Sequence, residues 1–444
     1  MCPGRMRPAT TSGSPVVPSD PPARSPWASL SASRNLPVVT IDVRLATAGD
    51  LDAYFEQLAL GFHSRPSPAE LASHRQALDL DRTRIALDGS RIVGTLRSWS
   101  TEFTVPGPRV VQASALTQVT VAPTHRRQGI LTRMISEDLA DSAARGEAVG
   151  ILIASEYPIY GRFGYGPAIQ NAGYRIETTG IRPIAPIEGR IEIGDWESLR
   201  VDGPAVYERF RVSQPGSIER SARWWERITR QIPAEGVDAK KGFCVRYVSP
   251  DESVEGYAVC SGALDAPDMR HKGVLTVEEL IAVTPRAYRA LWTFCAEVDL
   301  LTGVVAANRA VDEPIGLLFD DARAVRQTHV FDFIWIRILD AVAALEGRAY
   351  AAHGRVVLAV DDPMGFAHGR YALESGPDGV RCAPSNEEPG LELSAAALGS
   401  IYAGDVSVST LVRAGWIRVR DPDALPCADA MFHSPSRAWC STWF

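Results

Sequence analysis

Residues 119–132, with the sequence VTVAPTHRRQGILT, join a short apolar strand to a helix through a basic turn that contains a glycine. The apolar residues after the turn fall on one helical face: Leu131, Ile135, Leu139 and Ala143. Gly146 stands where this helix of about four turns would stop. A strand that leads directly into such a helix is the connection of an α/β fold.

The turn between this strand and this helix predicts an anion-binding site. First-turn N–H groups, the positive end of the helix dipole and the guanidinium groups of Arg126 and Arg127 converge there. Gly129 has no side chain, so a phosphate can approach the backbone. A solvated arginine pair at a helix start is the alternative, and residues 126–131 alone leave it open. We interpret His125 as a surface residue of the helix start.

The surrounding segments alternate between strand and helix patterns. Strands are predicted at 38–43, at 84–97 as a hairpin, and at 110–116, 116–121, 149–154 and 174–179, with helices at 50–60 and 159–163. The order β-α-β-β-β-α-β-α-β predicts an α/β domain over residues 38–185.

A weaker copy of this pattern follows in residues 186–329. The predicted elements are a helical region at 196–231, a hairpin at 243–248 and 256–260, and a strand and helix at 277–291. Thr284-Pro285 corresponds to Ala122-Pro123, but no glycine follows the arginine of this copy. The second copy therefore lacks the backbone approach that an anion needs.

Residues 330–444 form a predicted third domain, and residues 1–37 a predicted tail. The third region opens with the apolar segment 331–345 and continues with strands at 355–360 and 369–374 and a helix at 393–402. The tail has eight prolines, seven serines and a single acid, Asp20, which predicts disorder. A transit peptide is the alternative, although the prolines would break its amphipathic helix.

The overall composition excludes several partners. A net charge of −7 argues against nucleic acid, whereas a mildly acidic surface tolerates cationic small molecules. Apolar runs such as 149–154 are far shorter than the ~20 residues of a membrane span. Seven scattered cysteines without a Cys-x-x-Cys pair favour reduced thiols in a cytoplasm. The histidines show no metal-binding spacing, so we predict no metal.

A second motif, SEYPIYGRFGYG at residues 155–166, follows the first after one helix and one buried strand. The pair resembles the GNAT N-acetyltransferases, whose glycine-containing turn binds the CoA pyrophosphate and whose later aromatic and glycine segment presents a catalytic tyrosine. Leu131 departs from the Gly or Ala of many members. The combination resembles the mycobacterial Eis (enhanced intracellular survival) acetyltransferases and their actinobacterial relatives.

This resemblance covers the chain from about residue 38. It implies an α/β and α+β protein with tandem GNAT folds, the second degenerate, and a C-terminal sterol-carrier-protein-like domain. It also implies acetyl-CoA as co-substrate, a small-molecule amine as acceptor and a cytoplasmic homohexamer.

The resemblance also assigns roles to matching positions. The residues implied to bind CoA are Val119, Thr120 and Val121 at the pantetheine arm, Arg127, Gln128, Gly129, Ile130, Leu131 and Thr132 at the pyrophosphate, and Ser155 and Glu156 along the cleft. Tyr160 would be the general acid, because a phenol can protonate the departing thiolate. Tyr165 and Tyr174 are interpreted as core residues.

The attacking amine must lose a proton, so a base is required. In the resembling family this base is the C-terminal carboxylate, here that of Phe444. A terminal Phe that only packs is the alternative. Some relatives have an acidic residue before the last Phe, whereas this chain has Trp443.

We therefore expect an acetyl-CoA-dependent N-acetyltransferase that acts on aminoglycoside-type polyamines, with lysine side chains as further acceptors, by direct transfer. The alternative function is a sterol-carrier-like protein for apolar ligands whose acetyltransferase domain is inert.

Overall fold

Two β-sheets, of twelve and five strands, organise the residues that the structure describes. The structure, a computed structural model, describes residues 41–64, 66–76, 78–107, 109–232, 242–263 and 272–444. Residues 1–37, predicted as a disordered tail, lie outside these ranges. Both sheets belong to one compact unit, residues 38–444.

The first repeat follows the predicted order of elements, with one helix added. Its elements are β1 (Ile41–Leu45), α1 (Leu51–Phe62), α2 (Pro68–Gln76), β2 (Thr83–Asp88), β3 (Arg91–Val105), β4 (Arg109–Val121), α3 (Ile130–Ala144), β5 (Val149–Ile153), α4 (Tyr157–Tyr160) and β6 (Gly166–Glu177). The additional helix is α2, which has no fully buried residue among those described. The two strand segments predicted at 110–116 and 116–121 form one strand, β4, because the chain continues through a bulge at Gln118.

The second repeat has the same succession of strands and helices. Its elements are β7 (Arg190–Gly194), α5 (Trp196–Arg211), α6 (Ala222–Ile228), β8 (Gly242–Val248), β9 (Val254–Ala263), β10 (Gly273–Ala282), α7 (Pro285–Glu297), β11 (Leu301–Ala310) and β12 (Val325–Ile338). The helical region predicted at 196–231 is two helices, because Pro215 and Gly216, with a φ of 93°, interrupt it.

The two repeats share one sheet by exchanging their last strands. The strand order is β1-β2-β3-β4-β5-β12-β6-β11-β10-β9-β8-β7. In each repeat a helix connects two parallel neighbours, β4 and β5 through α3, and β10 and β11 through α7. Strand β12 of the second repeat lies between β5 and β6, while β6 of the first repeat pairs with β11. Neither repeat therefore completes its sheet alone.

The third region packs onto the exchanged strands. Its elements are α8 (Ala341–Gly347), β13 (Gly354–Asp361), β14 (Gly369–Gly376), β15 (Gly379–Pro384), β16 (Leu391–Ser394), α9 (Ala395–Tyr402), α10 (Val408–Arg413), β17 (Ile417–Val419) and α11 (Ala424–Phe432). Helix α9 lies so close to β6 that a Cβ added to Gly166 would be 1.8 Å from the carbonyl oxygen of Ala396. The predicted start of this region at residue 330 falls inside β12, whose hydrogen bonds to β5 and β6 place it in the larger sheet.

A buried ion pair joins the two sheets. Arg337 on β12 donates from Nη2 to both carboxylate oxygens of Asp362, at 2.8 and 2.7 Å. The side chains are 0% and 1% exposed. Asp362 also accepts the backbone N–H groups of Met364 and Ala367. A buried charge without its partner costs several kcal/mol. Loss of either residue would therefore destabilise the contact between the two sheets.

We predict that Asp362→Asn destabilises the protein by about 3 kcal/mol, because it leaves the Arg337 guanidinium buried without its counter-charge. The measurement is the shift of the urea-unfolding midpoint. The matched control is Glu374→Gln, which breaks the exposed pair with Arg355 in the same region and should cost less than about 1 kcal/mol. Equal shifts for the two variants would contradict the prediction.

Candidate active site

Strands β4 and β5 separate near their C-terminal ends and leave an opening in the sheet of the first repeat. Their parallel pairing runs from Ala113 with Val149 to Leu116 with Leu152 and stops there. Two residues later Gln118 has a φ of 55°, and the register between β3 and β4 shifts at this bulge. Backbone groups of β4 beyond Leu116 therefore lack partners on β5, which leaves room for an extended ligand.

The predicted anion-binding turn stands at one end of this opening. A 3₁₀ helix, Pro123–His125, precedes it, and Arg127 and Gly129 take left-handed φ values of 66° and 79°. Helix α3 then begins with no side chain capping it. Its first backbone hydrogen bond runs from Arg133 N–H to Gly129 O at 3.0 Å, so the N–H groups before Arg133 are open to a ligand.

The residues predicted to bind CoA differ in the exposure of their side chains. Arg127, Gln128, Gly129 and Thr132 are exposed at the helix start, whereas the side chains of Ile130 and Leu131 pack into the core. On β4, Thr120 turns its hydroxyl to that of Thr95 at 2.7 Å, and Val119 and Val121 are half-buried. Where these side chains face the core, a ligand would therefore contact the backbone groups of the same residues. His125 pairs with Asp88 at 3.1 Å, as suits a residue that supports the helix start.

The corresponding helix of the second repeat has its start occupied by its own side chains. The hydroxyl of Thr284 accepts the N–H of Ala287 at 3.2 Å and caps α7. Arg286 is paired with Glu255 at 2.6 Å. The positive helix end and the basic residue are thus both satisfied internally, in contrast to the uncapped start of α3.

The second motif directly follows β5, at the end where β5 stops pairing with β4. Ser155 and Glu156 are exposed, and Tyr160 is buried at the end of α4. Burial raises the pKa of Tyr160, a hydrogen bond with Ser155 opposes the rise, and the charge of Glu156 adds to it. The phenol is therefore protonated at neutral pH. Tyr165 and Tyr174 are core residues, as predicted; the Tyr174 hydroxyl donates to the carbonyl of Val311 at 2.7 Å.

The turn after Tyr160 rests on the exchanged strand. Gly164 closes this turn with a φ of 80°, and a Cβ added there would lie 2.6 Å from Nη1 of Arg337. Arg337, held by its ion pair with Asp362, therefore packs directly against the turn that follows Tyr160. The sequence offered no signal for this support, because Arg337 and Asp362 belong to different predicted motifs.

The C-terminal segment leaves the third region and runs back between the two repeats. Its backbone is held by side chains of both: Asn171 on β6 donates to Cys440 O at 2.8 Å, and Asn308 on β11 donates to Ser441 O at 3.1 Å. Trp439 N–H donates to Pro215 O at 2.8 Å. These contacts give the last residues a defined path.

Arg220, in the link between α5 and α6, fastens this segment. Its Nε donates to the Thr442 hydroxyl at 2.9 Å, its Nη2 to the Ser441 hydroxyl at 3.1 Å, and its Nη1 to Glu279 at 2.7 Å. The guanidinium also stacks 3.7 Å from the centroid of the Tyr207 ring. The side chain is 1% exposed. Sequence reasoning missed Arg220, since an arginine between helices resembles a surface residue.

The terminal residue, Phe444, reaches the sheet of the first repeat. Its ring contacts Trp99 of β3 edge to face, with centroids 5.1 Å apart. Trp99 pairs with Ala115, one residue before the separation of β4 and β5. Trp443 is 57% exposed and rests against Phe331 and Phe333. The structure thus brings the C terminus to the opening in the first repeat.

Neither a group of metal ligands nor a membrane-spanning helix is found among the described residues. Within the ranges given above, no three His, Cys, Asp or Glu side chains are grouped as metal ligands would be. In the same part of the chain no helix combines the length and apolar character needed to cross a bilayer.

Family models match three successive parts of the chain. A model described as "Acetyltransferase (GNAT) domain" matches residues 42–168, and another with the same description matches 216–338. A "Sterol carrier protein domain" model matches 341–441. The fold and these matches define the class: this is a GNAT N-acetyltransferase with two GNAT folds and a C-terminal sterol-carrier domain. Enzymes of this class use acetyl-CoA.

Individual relatives narrow the class to a family. A protein of Streptomyces avermitilis named "Uncharacterized N-acetyltransferase" is 38% identical over 91% of this chain and 99% of its own length. N-acetyltransferase Eis of Mycobacterium bovis is 32% identical over 89% of this chain and 98% of its own. Eis1 from Mycobacterium abscessus, a crystal structure, matches with a TM-score of 0.80 at 31% identity, covering 91% of this chain and 100% of that one. The chain belongs to the Eis family of N-acetyltransferases.

We predict that Thr442→Val frees the C terminus. The change removes the acceptor of Arg220 Nε and leaves a buried donor unsatisfied, at a cost of about 1–3 kcal/mol. Release of Phe444 by carboxypeptidase A, followed by mass spectrometry, should become roughly ten-fold faster, because the enzyme cleaves the locally opened segment. The control is Thr179→Val at an exposed position, which should match the parent. Identical rates for both variants would show that the hydrogen bond between Arg220 and Thr442 does not hold the segment.

Proposed function

We propose that the chain transfers an acetyl group from acetyl-CoA directly to a primary amine, at the opening between β4 and β5 of the first repeat. The observation that supports this most is the position of Phe444, which docks on Trp99 beside the opening. An ordinary C terminus is frayed and polar, whereas this one is fastened by a buried arginine.

In this proposal CoA lies along the opening. The backbone of Val119–Val121 contacts the pantetheine arm, Arg127–Thr132 hold the pyrophosphate, and Ser155 and Glu156 line the opposite side. The uncapped start of α3 and the exposed Arg127 support this arrangement. Open N–H groups and a guanidinium are what a pyrophosphate requires.

The chemistry needs one acid and one base. The amine nitrogen attacks the thioester carbonyl carbon, a C–N bond forms, and collapse of the tetrahedral intermediate breaks the C–S bond. The departing thiolate takes the phenolic proton of Tyr160, and the Phe444 carboxylate takes the proton that the amine loses. Because burial raises the pKa of Tyr160, the acid keeps its proton well into the alkaline range.

Finer features of the proposal rest on the family resemblance. They are aminoglycoside-type polyamines and lysine side chains as acceptors, a homohexamer, and a cytoplasmic location. Trp443 precedes the terminal residue and carries no negative charge, unlike the acidic residue that some relatives have at this position.

The alternative function, a carrier of apolar ligands, has less support. The third region borders a cavity of about 790 Å³, but charged side chains dominate its lining. Among them are Arg355, Arg370, Glu387, Arg420 and Asp421. Apolar ligands require apolar walls. Saturable thermal stabilisation by CoA would support the transferase, and stabilisation only by lipids the carrier.

We predict that Tyr160→Phe lowers kcat by about 10²–10⁴-fold, because the thiolate loses its proton donor. Thiol release with acetyl-CoA and an amine panel measures kcat, and the thermal shift with CoA shows that binding is retained. The control is Tyr174→Phe, which removes a hydroxyl bound to the backbone away from the opening. A rate for Tyr160→Phe equal to that of the control would remove the acid assignment.

We also predict that one glycine added after Phe444 lowers kcat/KM about 100-fold. The extension moves the carboxylate by roughly 3.5 Å while the ring on Trp99 is kept, so it separates proton transfer from packing. Phe444→Tyr keeps both ring and carboxylate and serves as the control. If the extended protein turned over normally, Phe444 would be a packing residue only.

A further inference from the structure

Tyr160, the proposed acid, stands on a segment that is too short to hold itself in place. Helix α4 has four residues, and a 3₁₀ turn, Gly161–Phe163, follows it at once. Helices of this length are not stable alone in water, because the first turn fixes several residues for one hydrogen bond. The position of the Tyr160 hydroxyl therefore depends on the side chains that pack against the segment.

A loop of the third region supplies part of this packing. Tyr160, Phe163 and Tyr165 lie in one apolar cluster, and the rings of Tyr160 and Tyr165 meet edge to face with centroids 6.3 Å apart. Met364 and Phe366, from the loop between β13 and β14, pack against the same cluster. The third region thus contributes side chains to the core in which the tyrosine is packed.

Asp362 holds this loop in shape. Its carboxylate accepts the N–H of Met364 at 3.1 Å and the N–H of Ala367 at 2.8 Å. Its backbone carbonyl accepts the N–H of Gly365 at 3.0 Å. The same carboxylate binds Nη2 of Arg337. One buried side chain therefore fixes both the loop and the guanidinium.

The Arg337 guanidinium lies between this loop and the turn that follows Tyr160. A Cβ added to Gly164 would be 2.6, 2.8 and 3.0 Å from its Nη1, Cζ and Nε atoms, so only a residue without a side chain leaves room for it. On the side of the loop, Cζ lies 5.3 Å from the centroid of the Phe366 ring. A displacement of the guanidinium would therefore reach the tyrosine segment directly.

Stability alone does not account for a charged pair at this position. Nε and Nη1 of Arg337 are buried and have no hydrogen-bond partner among the described residues. A buried ion pair is often no more stabilising than apolar residues of the same volume, and an unsatisfied buried N–H group lowers stability further. What the pair supplies is a rigid surface, because the guanidinium is planar and Asp362 fixes its orientation.

We propose that Arg337 and Asp362 are positioning residues for proton transfer: by holding the turn after Tyr160, they keep the phenol where it can protonate the departing CoA thiolate. The proposal rests on the transferase function proposed above. Both residues act through Tyr160 and not on the reacting atoms. The third region would then serve both proton transfers, since its last residue supplies the base and its loop supports the acid.

The first test measures kcat and KM for Asp362→Asn and for the double variant Arg337→Met/Asp362→Asn. We expect kcat to fall about ten- to hundred-fold in both, with KM for acetyl-CoA nearly unchanged, because an error of about 1 Å in the geometry of a site can cost about 10²-fold. The double variant removes both charges, so its urea-unfolding midpoint should lie above that of Asp362→Asn. Its kcat should nevertheless stay low, which separates positioning from stability.

Two further readouts connect the loss to Tyr160. Burial raises the pKa of this phenol, so a loosened segment exposes it and lowers the pH at which kcat declines on the alkaline side. In a Tyr160→Phe background, Asp362→Asn should lower kcat no further, because the effects of residues that act as a unit are not additive. A purely structural role would give neither result.

The control is Arg348→Met. Arg348 is also fully buried, but its guanidinium donates to the carbonyls of Tyr402 at 2.6 Å and Phe432 at 3.0 Å, within the third region. Its loss should lower the unfolding midpoint, since buried carbonyls lose their donor, and leave kcat at the parent value. All rates are measured at a temperature where circular dichroism shows every variant to be folded, and thermal stabilisation by CoA reports an intact donor site.

The outcomes separate this inference from the function on which it rests. A kcat near the parent value in both Asp362 variants, or a loss equal to that of Arg348→Met, would overturn the positioning role and leave the transferase standing. An additive loss in the Tyr160→Phe background would do the same. No thiol release by the parent protein with any amine would overturn the transferase function itself, and the inference with it.

Discussion

The exchange of β6 and β12 between the two repeats is the constraint on which the rest of the structure depends. Each repeat supplies a strand that the other needs, so backbone hydrogen bonds that would otherwise be left at a sheet edge are satisfied only in the joined molecule. The exchange also brings Arg337 under the turn that carries Tyr160. Helix α9 of the third region then packs on both exchanged strands, and the ion pair of Arg337 with Asp362 closes that contact.

The start of α7 in the second repeat is not open to a ligand, but this repeat holds the C-terminal segment. Its helix start is capped by Thr284, and its basic residue is paired with Glu255, so no ligand charge is needed there. Arg220 instead holds the C-terminal segment, with Glu279 as its counter-charge. Among the described residues, the start of α3 beside the opening has no side-chain cap, whereas the second repeat, through Arg220, holds the segment that ends at Phe444.

Sequence patterns predicted the elements that are locally determined. The helix after Gly129, the buried strand β5 and the order of elements in the first repeat follow from apolar periodicity and from glycine at left-handed positions. Helix α2 was missed, because it buries no residue completely and so shows no apolar stripe. The predicted boundary at residue 330 placed most of strand β12 in the third region, because an apolar run does not show which sheet the strand will join. Membership in a sheet is decided by hydrogen bonds to distant segments.

By itself the sequence predicted an anion-binding turn at the start of α3, because that feature lies within a short motif whose chemistry is local, and the family resemblance added Tyr160 as its catalytic partner. It also marked Phe444 as a candidate through family resemblance. Only the tertiary structure decided what surrounds that residue: Trp99 against its ring, Arg97 against the ring of Trp99, and Arg220 on the segment before it. These side chains come from strands and helices far apart in the chain. Their contacts with the C-terminal segment exist only after folding, because they depend on distances in space and not on separation in sequence.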